Sequence, residues 1–316
     1  MLRTTTLVLV LSALSAAPAP LALDSAQKKE PAQKHEPKDG KDSKDSKDNK
    51  DNKDGKDKKG DKDDKEELDA PDVTDVPSQD LHLGKDENKR YLLAGPLKDA
   101  KMPKDGYALL VVMPGGEGSA NFHPFVKRVY KNALPDGFLV VQPVPPKWTP
   151  DQQIIWPTEK SKVTGMKFTT EDFVEGIIEE LEKTQKIDPA RVFTLSWSSS
   201  GPAAYILSTR KKGLVKGSLI AMSVFHKEEL DLDVAKDQNY YILHSPDDKV
   251  CPFKMAEEAR DTLRKQGANV EFATYAGGHG WQGNVFANIR NGVEWLLDPK
   301  AKTDKSEKPG KGEKKK

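Results

Sequence analysis

The sequence predicts an α/β protein with a doubly wound, mostly parallel β-sheet. Between residues 107 and 297, apolar runs of strand length alternate with runs of helical periodicity. The predicted strands are apolar at nearly every position, which is typical of a parallel sheet that helices cover on both faces. Glycine-rich and polar stretches follow several of these strands, at the sheet edge where open α/β sheets bind their ligands.

The apolar pattern places six strands and three helices in this alternating region. The helix over residues 171–186 has one apolar face, and Thr169 or Thr170 can cap its start. Upstream, residues 81–96 can supply one or two antiparallel edge strands. The strands are predicted over residues 107–113, 138–144, 192–195, 214–222, 240–244 and 270–275, and the helices over residues 171–186, 255–266 and 285–297.

The start of the chain has the composition of a secretory signal peptide, which is predicted over residues 1–23. Arg3 precedes an apolar run that ends at Leu23, and Pro18 and Pro20 make this run a poor membrane span. The mature chain is therefore expected to be secreted or periplasmic, with no integral membrane span after cleavage.

Two highly charged segments flank the predicted domain. Residues 24–79 are rich in Lys and Asp, and residues 300–316 are rich in Lys. Both are predicted to be disordered, because they have too few apolar side chains to offset the entropy lost on ordering. One domain is expected over residues 80–299. The basic C-terminal tail allows a weak contact with an anionic surface, which salt would screen.

Charge and cysteine content exclude several classes of partner. The chain has 51 Lys and Arg against 50 Asp and Glu, which argues against a nucleic-acid partner. Cys251 is the only cysteine, so no intramolecular disulfide can form. Acidic and histidine residues do not recur at metal-ligand spacing, and no phosphate-binding glycine loop is evident, so neither a metal nor a cofactor is expected.

The strand that ends near residue 196 leads into a serine-rich turn. Residues 191–205 read RVFTLSWSSSGPAAY, an apolar strand followed by a tight turn and the start of a helix. This is the layout of a nucleophile elbow, in which a strained turn projects one serine hydroxyl into the site. We refer to residues 196–201 as the elbow.

Steric crowding in such a turn selects Ser198 as the candidate nucleophile. The residues two places before and after the nucleophile must be small, and for Ser198 they are Ser196 and Ser200. The corresponding neighbours would be Trp197 for Ser199 and the rigid Pro202 for Ser200. The alternative interpretation is a serine-rich turn that only caps an ordinary helix.

Three other strand ends carry the residue types that a serine nucleophile needs. Asp247 and Asp248 follow the strand over residues 240–244, where an orienting carboxylate is expected. His279 lies in a glycine-rich loop before the last helix, and is the candidate base. Residues 114–118, which we call the glycine loop, can turn backbone N–H groups toward a substrate oxygen.

The chain order of serine, acid and histidine, together with these motifs, resembles the α/β-hydrolase superfamily. The likeness is to the phospholipase/carboxylesterase/thioesterase group, with kinship to secreted polyhydroxybutyrate-depolymerase-like esterases, over roughly residues 89–298. The acid motif of this group, H-G-x-x-D-x-x-V-P, selects Asp248 over Asp247 when it is laid on His244 and Pro252.

The resemblance also implies where an oxyanion would bind. The family motif places one donor at Gly116, with the amide of Ser199 as the second. The sequence departs from the family pattern at four positions: Pro114 replaces a histidine, and Ser196, Ser200 and Ser245 replace glycines.

The resemblance implies a serine hydrolase that acts on carboxylic ester or thioester bonds of a small-molecule, lipid or polymer substrate. A peptidase of the prolyl-oligopeptidase type is one alternative, and a binding module that has kept the fold without activity is another. Trp148 and Trp156 lie on a long connection over residues 145–168, where a core role is favoured over a pocket role for each.

Overall fold

Eight strands form one sheet in the computed structural model, which describes residues 71–299. Their order across the sheet is β1-β2-β4-β3-β5-β6-β7-β8. The first two strands pair antiparallel with each other, β2 pairs antiparallel with β4, and the six strands from β3 to β8 are parallel. The strands are β1 Ser78–His82, β2 Arg90–Ala94, β3 Tyr107–Met113, β4 Phe138–Pro143, β5 Ile187–Trp197, β6 Gly217–Ala221, β7 Asn239–His244 and β8 Asn269–Thr274.

Helices cover both faces of this sheet, as the continuous apolar strands require. Alternate side chains of each strand enter two separate cores, so Leu109 and Val111 face one side while Leu110 and Val112 face the other. On the first side lie α2 Thr170–Thr184, α3 Gly201–Ser208 and α4 Phe253–Lys265, and on the second lie α1 His123–Ala133 and α5 Val285–Leu297.

The predicted doubly wound, mostly parallel sheet is confirmed. Each of the six strands predicted from the alternating region overlaps an observed strand, and residues 81–96 contribute to the two antiparallel edge strands. Thr169 is the residue that caps α2, since its side chain accepts a hydrogen bond from the Asp172 amide. The sequence reading did not place α1, whose buried residues recur at helical spacing among charged side chains.

The domain begins before the predicted boundary at residue 80. Val73 and Val76 are buried against the core, and Asp72 and Asp75 pair with basic side chains of α1. These two valines supply apolar surface that the charged segment otherwise lacks, which explains why the chain packs against the domain at these two positions. The predicted signal peptide, residues 24–70 and residues 300–316 lie outside the described residues.

Candidate functional site

Ser198 lies at the end of β5 in a strained turn. Its φ is +55°, a value that costs energy for any residue with a side chain. Ser198 is also the first residue of a short 3₁₀ turn, Ser198–Ser200, which leads directly into α3. The backbone therefore has the conformation that a nucleophile elbow requires, and the Ser198 side chain is partly exposed.

Gly201 allows the chain to pass closely beside the loop after β6. A Cβ atom at Gly201 would lie 1.9 Å from Ser223 Oγ and 2.4 Å from Ser223 Cβ. The same Ser223 hydroxyl donates a hydrogen bond of 2.8 Å to the Ser198 carbonyl. This hydrogen bond holds the backbone of Ser198 in its strained conformation. Because Ser223 lies so close, no side chain larger than hydrogen fits at residue 201.

Gly201→Ala should therefore destabilise the elbow. Overpacking of this kind costs about 1–3 kcal/mol of the free energy of unfolding, which corresponds to a fall in Tm of roughly 2–4 °C per kcal/mol in a domain of this size. Thermal unfolding of the purified parent and variant measures this difference in Tm. Adding Ser223→Gly removes the clashing atoms and should restore part of the lost Tm. A Gly201→Ala variant as stable as the parent would contradict the assigned contact.

The small elbow flanks behave differently from each other. Ser200 is buried, and its hydroxyl lies 2.6 Å from the Met113 carbonyl and accepts a hydrogen bond from the Trp197 amide. Ser196 is also buried, but its hydroxyl has no hydrogen-bond partner among the described residues. The serine that replaces the second elbow glycine thus ties the elbow to the end of β3.

His279 lies on the loop after β8, within reach of the elbow. Its Nε2 atom is 3.1 Å from Ser198 Oγ, and its side chain is 24% exposed. The loop around it is braced by Tyr275, whose hydroxyl lies 3.0 Å from the carbonyl oxygens of both Gly278 and Gly280. These glycines have φ values of +83° and +108°, which residues with side chains rarely adopt.

Asp248 is the acid that contacts His279. Its Oδ2 lies 2.9 Å from His279 Nδ1, and its Oδ1 accepts hydrogen bonds of 2.8 Å from the amides of Val250 and Cys251. The Asp248 side chain is fully buried, whereas Asp247 is exposed. Position in the sequence allowed either Asp247 or Asp248 to contact the histidine, and in the structure it is Asp248 that does so.

The surroundings of Asp248 favour its charged form. Burial raises the pKa of this carboxyl, but the hydrogen bonds from His279 and from the Cys251 and Val250 amides outweigh it, and the pKa falls below its ordinary value. An ionised Asp248 accepts a hydrogen bond from the N–H group at His279 Nδ1 and so keeps the proton on that nitrogen. This leaves Nε2 with a lone pair that can accept the Ser198 hydroxyl proton.

A second histidine contacts the same carboxylate. His244 Nε2 lies 2.9 Å from the Cys251 carbonyl and 3.3 Å from Asp248 Oδ2. Burial lowers the pKa of His244, which favours the neutral ring with its proton on Nε2, shared between these two acceptors. Sequence reasoning used His244 only to align the acid motif.

The two predicted oxyanion donors are neighbours in the structure. Gly116 has a φ of +57° in the glycine loop after β3, and the Ser199 side chain donates a hydrogen bond of 2.8 Å to its carbonyl. The glycine loop therefore lies directly against the elbow. This brings the backbone of residues 116 and 199 together beside Ser198.

One group of potential metal ligands coincides with these residues. Ligand atoms of Asp248, Cys251 and His279 lie within 4.8 Å of one another. However, both oxygens of Asp248 already accept hydrogen bonds, and burial beside Asp248 raises the pKa of Cys251 to about 11. Hydrogen bonds from His279 and from the Val250 and Cys251 amides thus already use the Asp248 carboxylate, as expected for an acid that orients a histidine.

Solved structures with the same architecture identify the fold. No protein-family model and no curated protein matches this chain. The structure is similar to a thermostable esterase, with a TM-score of 0.52 and 21% sequence identity. The match covers 71% of this chain and 63% of that esterase. It is similar to an esterase from Rhizomucor miehei, with a TM-score of 0.53 at 13% identity over 74% of this chain and 88% of that one.

A third similar structure is dipeptidyl peptidase 4 from Porphyromonas gingivalis, with a TM-score of 0.52 at 12% identity over 71% of this chain and 35% of the peptidase. The chain has the α/β-hydrolase fold. In this fold Ser198 and its neighbours occupy the carboxyl ends of β3, β5, β7 and β8, the edge where open α/β sheets place their sites. None of the helices within residues 71–299 is both long and apolar enough to cross a membrane.

Proposed function

We propose that this protein is a serine hydrolase that cleaves carboxylic ester or thioester bonds through an acyl-enzyme. The observation that carries the proposal is the hydrogen-bonded series Ser198 Oγ, His279 and Asp248, which starts from a residue held at positive φ. A turn that only caps a helix would need neither the strained backbone nor a buried carboxylate behind the histidine.

The proposed reaction uses each of these groups in turn. Ser198 Oγ attacks the substrate carbonyl carbon while His279 Nε2 takes the hydroxyl proton, and Asp248 stabilises the imidazolium that forms. The amides of Gly116 and Ser199 donate to the negatively charged oxygen of the tetrahedral intermediate. His279 then protonates the departing alcohol or thiol, and water releases the acid from Ser198 by the same steps.

Ester cleavage is the first candidate because two of the similar structures described above are esterases. Peptide cleavage is the second, because one structure with this fold is a dipeptidyl peptidase. A binding module without activity is a third outcome. The two hydrolases would both use the Ser198 hydroxyl as the nucleophile and would differ in the bond that is cleaved, whereas a binding module would not use it as a nucleophile. Hydrolysis assays combined with covalent labelling therefore separate the three possibilities.

The purified protein should hydrolyse p-nitrophenyl butyrate, and a fluorophosphonate probe should label it covalently. Mass spectrometry should place the label on Ser198 and not on the adjacent Ser199, because only Ser198 has a base at its hydroxyl. Hydrolysis of a dipeptide p-nitroanilide in preference to the ester would favour the peptidase. Folded protein that neither hydrolyses the ester nor takes the label would support the binding module and overturn the proposal.

A further inference from the structure

The glycine loop is held by a series of hydrogen bonds to consecutive carbonyl groups. Glycines at residues 115, 116 and 118 allow this stretch a wide range of backbone conformations, so other contacts must select the one observed. In the structure each carbonyl from residue 113 to 116 has a donor. The pairs are Ser200 Oγ with Met113, Trp156 Nε1 with Pro114, the Gly118 amide with Gly115, and Ser199 Oγ with Gly116.

These bonds determine where the N–H groups of the loop point. A peptide group is planar, and its carbonyl and N–H are directed oppositely, so fixing a carbonyl also fixes the N–H of the next residue. The bond from Gly118 to the Gly115 carbonyl, 3.0 Å long, therefore orients the Gly116 amide. The bond from Trp156 to the Pro114 carbonyl, also 3.0 Å, fixes the peptide between Pro114 and Gly115. This peptide comes directly before the one that carries the Gly116 amide.

Trp156 differs from the other donors in its origin. Ser199 and Ser200 belong to the elbow and Gly118 to the glycine loop itself, whereas Trp156 lies on the connection between β4 and α2. Trp156 is 3% exposed and its bond to the Pro114 carbonyl is buried, so this bond is shielded from water. A bond of this kind resists rotation of the peptide more than a solvated one would.

The indole of Trp156 also contacts the far end of the loop. A Cβ atom at Gly118 would lie 2.9 Å from Trp156 Cζ2, and one at Gly115 would lie 2.6 Å from Trp197 Cδ1. The glycine loop thus runs between two indoles, one from the elbow and one from the connection. Only glycine fits at either position.

We propose that Trp156 is a positioning residue, which holds the Pro114 carbonyl and thereby keeps the Gly116 amide aimed at the oxyanion. This inference rests on the proposed hydrolase function. Trp156 does not touch the reacting atoms, and acts by limiting rotation of the peptides that lead to the donor. Its N–H should therefore matter more for the transition state than for substrate binding.

Trp156→Phe tests this, because phenylalanine keeps an aromatic ring but has no N–H. We expect kcat for p-nitrophenyl butyrate to fall about tenfold with KM changed less than about twofold, a smaller loss than removal of a donor amide, which costs about 10²–10³-fold. Affinity for a boronic acid, which forms a tetrahedral adduct with the serine, should fall by a similar factor.

Trp148→Phe is the matched control on the same connection. The Trp148 indole N–H is buried without a partner in the described residues, and its ring packs against Phe168. Its replacement removes no hydrogen bond, so kcat and boronic acid affinity should stay within about twofold of the parent. Equal losses of kcat in the two variants would mean that general packing of the connection matters, and would overturn the proposal.

A near-isosteric replacement guards against misfolding of the phenylalanine variant. Trp156→3-benzothienylalanine exchanges the N–H for sulfur and keeps the bicyclic shape, and should show the same tenfold fall in kcat. Unchanged kcat in this folded protein would overturn the positioning role while leaving the hydrolase proposal intact. If the parent protein itself showed no hydrolysis and no fluorophosphonate labelling, the proposed function would fail first.

Discussion

Replacing Ser198 with alanine should lower kcat for p-nitrophenyl butyrate by about four to six orders of magnitude. The variant loses the attacking oxygen, and the remaining His279 and Asp248 then have no acceptor for an acyl group. Because the three residues act as a unit, removing the Ser198 oxygen should abolish most of the rate acceleration that they provide together. Only acceleration by oxyanion binding and substrate positioning would remain.

Ser199→Ala is the control for this measurement. Ser199 is the adjacent serine, and its exposed side chain donates to the Gly116 carbonyl while its own amide is unaffected by the substitution. We expect about a tenfold loss at most, since one neutral hydrogen bond is removed. A large loss in Ser199→Ala together with an active Ser198→Ala would move the nucleophile to Ser199. Equal Tm values for the variants would exclude misfolding as the cause.

Much of the fold was predictable because its signals are local. The central strands Tyr107–Met113 and Phe138–Pro143 are buried at every position and are nearly continuous apolar runs, which is the pattern of strands covered on both faces. The helix His123–Ala133 was missed although its buried residues recur at helical spacing, because charged residues lie between them in the sequence and one of the buried residues is itself Arg128. The burial of Val73 and Val76 could not be predicted either, since two isolated valines in a charged segment form no recognisable apolar pattern.

The candidate site could be predicted only as residue types at strand ends. Such reasoning nominated Ser198 and His279, but left the choice of acid to a motif likeness. The structure places both in hydrogen-bond contact with each other, while their catalytic roles stay predictions. The supporting contacts of Ser223, Tyr275 and Trp156 join residues that tertiary packing alone brings together, and no local pattern encodes them.

The consequences of the departures from the family pattern also depend on tertiary contacts that the sequence does not reveal. Ser200 is small enough for the elbow, and its hydroxyl gains a bond to the Met113 carbonyl that a glycine could not make. The substitution therefore links the elbow to the end of β3, directly before the glycine loop. No compensating bond exists for the Ser196 hydroxyl within the described residues, and nothing in the structure explains why serine replaces glycine there.

Asp248→Asn should lower kcat by about 10⁴-fold. The asparagine carbonyl can still accept from the amides of Val250 and Cys251, so the loop should keep its shape. Its NH₂ group would then face His279 Nδ1 and favour the tautomer that carries the proton on Nε2. That tautomer cannot accept the Ser198 proton, so the loss should appear in kcat more than in KM.

The same substitution has a consequence for stability that depends on pH. Because the folded pKa of Asp248 is depressed, its charge contributes stability above the unfolded pKa of about 4, and this contribution is lost as the pH falls through the folded value. The asparagine variant should therefore be less stable than the parent at pH 7. The difference in free energy of unfolding should narrow as the pH is lowered below 4.

Asp247→Asn provides the matched comparison at the neighbouring acid. Asp247 is exposed, so its replacement should change kcat by no more than about threefold and leave the free energy of unfolding at pH 7 close to that of the parent. Steady-state kinetics and denaturant unfolding at pH 7 and pH 3.5 measure both effects. If the two asparagine variants lost equal activity, or if Asp247→Asn lost more, the orienting role would not belong to Asp248. The contact between its carboxylate and His279 Nδ1 would then have to be explained as purely structural.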